Sequence, residues 1–329
     1  MANSVLLIGA DSLLGRELRD RYSAAALAPR LQSATLEKDA SAVFAATEDD
    51  IEVVPAVNGH MINDALAILA VNSAAEAYQH LSQFDSPAPL LVLSGELDSQ
   101  PGATLRAPLY ELRPVESSIH TIPQPGTLLI DSFLDDLHSR HPLRRSVVTL
   151  FEPASQSGRQ AIDELQKQTI SLLSFKPIPK THYDSQLAFN LLPRTGEESK
   201  ISLPAREARI CAELKQLHSF HPDIPIPSVR LVHAPTFHGY SASVWVEFAS
   251  LPNLPEIIQE LKAEGVDVRD ESLDPPTNTG AAGQSGYAVG AIEADRIQPN
   301  CAWFWLAADN FRLQADVTID VLRELLPTR

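Results

Sequence analysis

Cysteine is nearly missing from this sequence: Cys211 and Cys301 are the only two in 329 residues. Two well-separated cysteines exclude a disulfide framework and point to a reducing cytoplasm. Positive charge is also short. There are 26 Lys and Arg against 42 Asp and Glu, a formal net charge of −16. Nucleic acid and anionic membrane surfaces would both repel such a chain, so neither is expected as a partner. No apolar run approaches the roughly 20 residues that cross a bilayer. The opening "MANSVLLIGADS" has no basic n-region and reads as a strand and polar turn, not a secretory leader. Internal repeats are absent as well.

What is present fits a globular protein with a proper core: 44% hydrophobic residues and 21% charged. The length favours two domains over one. "SVLLIGA" is a continuous apolar run, the mark of a strand buried on both faces. "SLLGRELRDRYSAA" follows with helical spacing. "IEVVPAV", "DALAILAV" and "APLLVLSG" are further strand candidates, and "NSAAEAYQHLSQF" has helix composition. This alternation predicts an α/β fold, a Rossmann-like doubly wound parallel sheet over residues 1–125.

The pattern changes after Thr127. A helix, "GTLLIDSFLDDLHSR", leads into "RRSVVTLFEP", "PSVRLVHAPTF", "SASVWVEF", "GYAVGAIEADR" and "CAWFWLAAD". Several of these alternate like strands and few are separated by helices. Residues 126–311 are therefore expected to form an α+β domain with a mainly antiparallel sheet. "DVTIDVLRELLP" closes the chain as an amphipathic helix. Residues 270–286, "DESLDPPTNTGAAGQSG", read as a mobile surface loop.

The turn "GADSLLG" sets Gly9 and Gly15 at the outer positions of a G-x-x-G-x-x-G loop, with Ser12 in the middle. In a working dinucleotide site such glycines let backbone approach a pyrophosphate at the helix N-terminus. A side chain at Ser12 crowds that approach. Two readings stay open: a nicotinamide site, or a strand-turn-helix that binds nothing.

Six stretches in register resemble the aspartate-semialdehyde dehydrogenase family: "GADSLLGREL", "LSGEL", "EPASQSGRQAIDELQKQT", "AFNLLPR", "APTFHGYSASVWVEF" and "WLAADNFR". The "SGR…EL…QT" and "AFNLL" segments look most like its divergent USG-1-like branch. The resemblance covers essentially the whole chain. It implies a first domain that binds NADP or NAD, with a terminal helix of about residues 312–329 returning to it. It also implies a catalytic and dimerisation domain with no metal, and a homodimer formed through that domain's sheet. Gly9, Ser12, Gly15 and Asn310 are the cofactor-binding candidates it carries.

The chemistry it implies is attack by a cysteine thiolate, proton shuttling by a histidine, and hydride transfer from the nicotinamide. Position by position, this chain departs from it. The cysteine slot in N-P-x-C, at the start of the second domain's first helix, falls on Pro125, or on Gly126 if the alignment slips by one. The motif R-x-P-x-x-x-G-H-S maps onto "HAPTFHGYS", setting Tyr240 in the histidine slot and His233 in that of the substrate arginine. Tyrosine is a poor proton shuttle at neutral pH, and histidine lacks the planar fork that grips a carboxylate. Glu152 replaces a glutamine and would repel an anionic substrate. "LQAD" puts Gln314 and Asp316 where small residues should meet the cofactor. Glu213 matches the substrate glutamate, although it also reads as a solvated helix residue; Asn310 and Arg312 are kept.

Other chemistry has little to stand on. Cys211 and Cys301 read as packed thiols, and His238 as a turn histidine. Thr127 and Ser132 lack an obvious base, and His218 and His221 lack a third metal ligand. "ATLEKDAS" gives conflicting charges and does not decide NAD against NADP. The leading expectation is a non-catalytic paralogue kept for binding or assembly, as a homodimer or beside an active paralogue. The alternative is an NAD(P)-dependent oxidoreductase acting on an oxo group without a covalent intermediate, with Tyr240 as proton donor.

Overall fold

The computed structural model describes residues 3–36, 44–46, 51–71, 73–84, 86–107 and 117–326. Most of "ATLEKDAS" lies outside them. The chain divides into two compact units, Met1–Gln124 with Gln314–Arg329, and Pro125–Leu313.

The first unit runs β1 (Ser4–Ile8), α1 (Leu13–Ala24), β2 (Arg30–Ala34), β3 (Phe44–Ala46), β4 (Ile51–Val53), α2 (Gly59–Asn63), β5 (Ala65–Ala70), α3 (Ala74–Leu81), β6 (Leu90–Val92), β7 (Ala103–Leu105) and β8 (Ile119–Thr121). Six strands form a parallel sheet in the order β2-β1-β5-β6-β8-β7. Strand β1 shows why the apolar runs are continuous. Val5 and Leu7 enter one core with Leu18 of α1 and with Ile319 and Leu322 near the chain's end, while Leu6 and Ile8 enter another with Ile62 of α2 and Ala77 of α3. A sheet covered on both faces requires apolar side chains on both. "IEVVPAV" departs from expectation: only Ile51–Val53 is a strand, and it pairs with β3 in a separate two-stranded sheet.

Gly15 is fixed by a close approach. A Cβ there would lie 2.2 Å from the Gly9 carbonyl oxygen. Only glycine lets α1 start so tightly against the end of β1.

The second unit runs α4 (Pro125–His138), β9 (Leu143–Glu152), a 3-10 turn (Ala154–Ser157), α5 (Arg159–Leu173), α6 (Leu203–Leu217), β10 (Ser228–His233), β11 (Tyr240–Phe248), α7 (Leu254–Ala263), β12 (Asp267–Arg269), α8 (Asn278–Ala281), β13 (Ala288–Ala294) and β14 (Cys301–Ala308). Its first helix opens at Pro125, the position where a missing N–H costs nothing. The final helix α9 (Asn310–Leu325) begins in this unit's range and continues into the first's.

The second sheet has the order β10-β9-β11-β14-β13-β12. Its three central pairings are antiparallel, but the two edge strands, β10 and β12, run parallel to their neighbours. The sheet is therefore mixed. Along β9, Ser146, Val148, Leu150 and Glu152 are buried while Arg145 and Val147 face outward. Helix α4 contacts both β9 and α6, and Phe133 of α4 meets Phe304 of β14 at 5.1 Å between ring centroids.

The expected mobile loop at 270–286 is tied down. It contains α8, capped by the Thr277 hydroxyl accepting from Gly280 N–H. The Asn278 amide donates to the Gly239 carbonyl and accepts from Ser241 Oγ at 2.9 Å, and Gly283 N–H donates to Asp309. Turn-forming composition marks irregular backbone, and here side-chain anchors hold that backbone in place.

Candidate functional site

Strand register brings the second unit's polar residues together. In the parallel pairing of β10 with β9, His233 lies opposite Glu152. In the antiparallel pairing of β11 with β9, Ser241 lies opposite Phe151, so Tyr240 arrives level with Glu152. Arg206 comes from the first turns of α6, Glu213 from seven residues further along the same helix, and Thr127 from the start of α4.

Glu152 and Tyr240 are fully buried. Arg206 Nη1 donates to Glu152 Oε1 at 2.5 Å and to Ser157 Oγ at 2.8 Å. The Tyr240 hydroxyl donates to Glu152 Oε2 at 3.0 Å. Both carboxylate oxygens are thus engaged from within the protein. The charge expected to repel an anionic substrate is instead matched by a guanidinium. Arg206 is the residue that sequence reading missed. The signal was its spacing: Arg206, Arg209 or Ile210, and Glu213 share one helix face.

A second pair lies beside the first. Thr127 Oγ1 donates to Glu213 Oε2 at 2.5 Å, and Arg209 Nε meets Glu213 Oε1 at 2.9 Å. Glu213 is 4% exposed, which rules out the solvated-helix reading. Thr127 has a carboxylate partner after all, but the bond is buried and the carboxylate is shared with a guanidinium. The slot next to Pro125 is closed too: a Cβ on Gly126 would lie 2.5 Å from Leu150 Cδ2 and 3.6 Å from the Tyr240 ring.

The protonation equilibria do not favour shuttling. Burial, with the Glu152 charge beside it, pushes the Tyr240 phenol well above its usual value, leaving it a poor proton donor. A direct reductase with Tyr240 as proton donor is not favoured, since its hydroxyl already donates to Glu152. Burial also pushes the His233 imidazole down; Glu152 opposes that shift, while Arg206 and His182 add to it. His233 Nδ1 lies 3.5 Å from Glu152 Oε1, and the Tyr183 ring packs against the imidazole at 5.1 Å.

The remaining candidates disperse. Cys211 lies on α6, two residues from Glu213 and so on the other side of the helix. Cys301 is buried at the start of β14. Burial raises both thiols, opposite to what an attacking sulfur needs. His238 is exposed against Phe311, and His218 faces Asp131 at 3.1 Å. No group of three metal-ligating side chains occurs among the described residues. No helix among them is long and apolar enough to cross a membrane.

Gly9, Ser12 and Gly15 belong to the first unit and Asn310 to the second. Asn310 Oδ1 accepts from Gly239 N–H at 3.1 Å and from Ser155 Oγ at 3.3 Å, pinning the turn that precedes Tyr240.

In the first unit, a doubly wound sheet takes dinucleotides at the carboxyl ends of its strands, where strand order reverses. That crevice follows β1, β2 and β5. It measures about 170 Å³ and is lined by Gly9, Asp11, Thr35, Ser73 and Glu76, among others. Ser12 caps α1, accepting from Gly15 N–H at 3.0 Å and donating to the Gly9 carbonyl at 2.7 Å. Gln314 is buried and donates to the carbonyls of Leu93 and Pro123 at 3.0 and 3.1 Å. Asp316 is bound by Arg21 of α1. These residues fit a nicotinamide dinucleotide poorly.

The first unit thus has the sheet of the dinucleotide-binding class, and the second carries a buried carboxylate and phenol met by a partly exposed guanidinium. Comparison with known proteins adds the family. Residues 134–313 match the semialdehyde dehydrogenase dimerisation domain. The chain belongs to the semialdehyde dehydrogenase family. An aspartate-semialdehyde dehydrogenase of Rickettsia bellii is 29% identical over 199 residues, 59% of this chain and 58% of that protein. A USG-1 protein homolog of Pseudomonas aeruginosa is 34% identical over 174 residues, 52% of this chain and 51% of that protein. The matches thus span little more than half of either relative. A probable aspartate-semialdehyde dehydrogenase from Pseudomonas aeruginosa superposes with a TM-score of 0.85 at 24% identity, covering 98% of this chain and 99% of that one. Aspartate semialdehyde dehydrogenase II from Vibrio cholerae, complexed with ASA, gives 0.83 at 19% identity, covering 99% and 98%. At these identities the structural likeness is one of fold.

Two outcomes follow from the cluster. Tyr240→Phe strips one donor from a buried carboxylate and is expected to lower unfolding free energy by about 1–3 kcal/mol in chemical denaturation. For His233 the folded pKa lies below the ordinary 6.5, so the unfolded chain binds the proton more readily. Its contribution to stability is present above about pH 6.5 and is lost as pH falls through the folded value. Melting temperature should fall on acidification from about pH 7 to 5, and less steeply in His233→Asn; equal slopes would remove His233 from the account.

Proposed function

We propose that this protein is a catalytically silent member of its family, retained for assembly rather than for turnover. One observation carries the reading. The slot that the family resemblance gives to the attacking sulfur holds Pro125, with Gly126 beside it under Leu150 and Tyr240. Acyl transfer through a thioester needs a thiolate there. The histidine and arginine slots hold Tyr240 and His233, both withdrawn from solvent. Loss of any one such group costs orders of magnitude in rate, and here they are lost together. Purified protein is therefore expected to give no phosphate-dependent oxidation of aspartate semialdehyde with NADP at ordinary enzyme concentration. Robust turnover, abolished by thiol modification, would sink the reading. Gly126→Cys is expected to lower stability without conferring activity.

Assembly is carried by the outward face of the second sheet, the surface proposed for a homodimer. Val147 and Trp303 are 47% and 45% exposed there. The rings of Phe151 and Trp305 lie 5.7 Å apart on the same face. Asp295 accepts the indole N–H groups of Trp245 and Trp303, at 2.9 and 3.0 Å, which orients both rings. Rigid aromatic rings on an open sheet are what an interface core uses. Light scattering should give twice the 35.9 kDa of one chain, and Trp303→Glu should return the monomer. A wild-type monomer, or a variant that stays dimeric, would contradict this surface. Co-purification with an active paralogue through the same face would replace the homodimer by a heteromer.

A further inference from the structure

We infer that the first unit has lost nicotinamide dinucleotide binding, because the crevice that would take the cofactor's phosphates carries the protein's own negative charge. This loss is a property of the first unit alone and is independent of the missing nucleophile.

The crevice after β1, β2 and β5 has Asp11 and Glu76 in its lining and no Lys or Arg among its described residues. Asp11 stands in the turn immediately before the N-cap of α1, and Glu76 in the first turn of α3. The positive ends of two helices, which elsewhere draw in a pyrophosphate, thus already have carboxylates beside them. A dinucleotide brings at least two further negative charges into the same space, and the like charges repel.

Donors are withdrawn as well. The Gly15 N–H, one of those that a phosphate at this helix end would use, is taken by Ser12 Oγ, whose own proton goes to Gly9. Where the resemblance calls for a middle glycine, a hydroxyl closes the turn on itself. A second helix-end donor is taken in the same way: Ala75 N–H, at the start of α3, donates to Glu96 Oε2 at 2.8 Å.

Space is short too. The crevice bounded by the described residues measures about 170 Å³, below the roughly 300–1,000 Å³ of ordinary ligand pockets. At the ends of β6 and β8, Gln314 is held by the carbonyls of Leu93 and Pro123. The family resemblance sets a small residue meeting the cofactor at that position. The Asp316–Arg21 ion pair holds the neighbouring position of α9 to α1. Each substitution is integrated into hydrogen bonding of its own, so none can step aside cheaply for a ligand.

The test is titration of the full-length protein with NADPH and, separately, NADH, read by nicotinamide fluorescence and by calorimetry. No saturable binding is expected up to about 1 mM, which limits any affinity to no better than about −4 kcal/mol. The variant Asp11→Asn/Ser12→Gly/Glu76→Gln removes the two charges and frees the Gly15 donor. It is expected to bind NADPH at least about tenfold more tightly than wild type, and Asp11→Asn/Glu76→Gln alone covers the case where Ser12→Gly unfolds the turn. Wild-type binding in the micromolar range would overturn the inference. So would variants that fold, as judged by circular dichroism, yet bind no better than wild type. Tight NADPH binding without semialdehyde turnover would overturn this inference alone and leave the silent-centre reading standing.

Discussion

Glu152 holds its carboxylate where no solvent reaches it, and an isolated charge in that position would cost several kcal/mol. The cost is offset because Arg206 and Tyr240 arrive from a helix and a strand to meet the two oxygens. Other features of the second unit follow from that meeting. Tyr240 must be a full phenol to reach the carboxylate, and its ring then lies over Gly126. At the beginning of α4, Gly126 leaves free the space that a Cβ would contest with Leu150 Cδ2 at 2.5 Å. Asn310 pins Gly239 so that the strand enters at the right level.

The side chains in the slots that the resemblance marks are buried in the second unit. A working centre leaves donors and acceptors unfinished so that substrate can complete them. Here the carboxylates of Glu152 and Glu213 have their partners inside the protein. The pKa shifts agree: tyrosine and both cysteines move away from ionisation, and His233 moves toward the neutral form. These are the effects of burial.

The fold class was legible from local pattern. "SVLLIGA" and "DALAILAV" are apolar on both sides because both faces of their sheet are covered, and alternation in "RRSVVTLFE" reflects one inner and one outer face. Pro125, Tyr240, His233 and Glu152 were singled out one at a time, through the family resemblance. What sequence could not convey was their convergence. Arg206 is separated from Glu152 by 54 residues and Thr127 from Glu213 by 86, and no local rule links them. Turn-forming, polar composition at 270–286 suggested mobility, but the anchors of Asn278 lie 39 and 37 residues away. Short strands such as Ala103–Leu105 were missed because three residues carry no readable period.

The central claim is that Glu152 and Arg206 act as one structural unit, and a double-mutant cycle in chemical denaturation measures it most directly. Glu152→Gln and Arg206→Met should each destabilise strongly, and the double variant should recover a coupling of about 1.5–3 kcal/mol relative to the sum of the singles. Additive losses, or single variants as stable as wild type, would show that the two side chains do not depend on each other and would contradict the account.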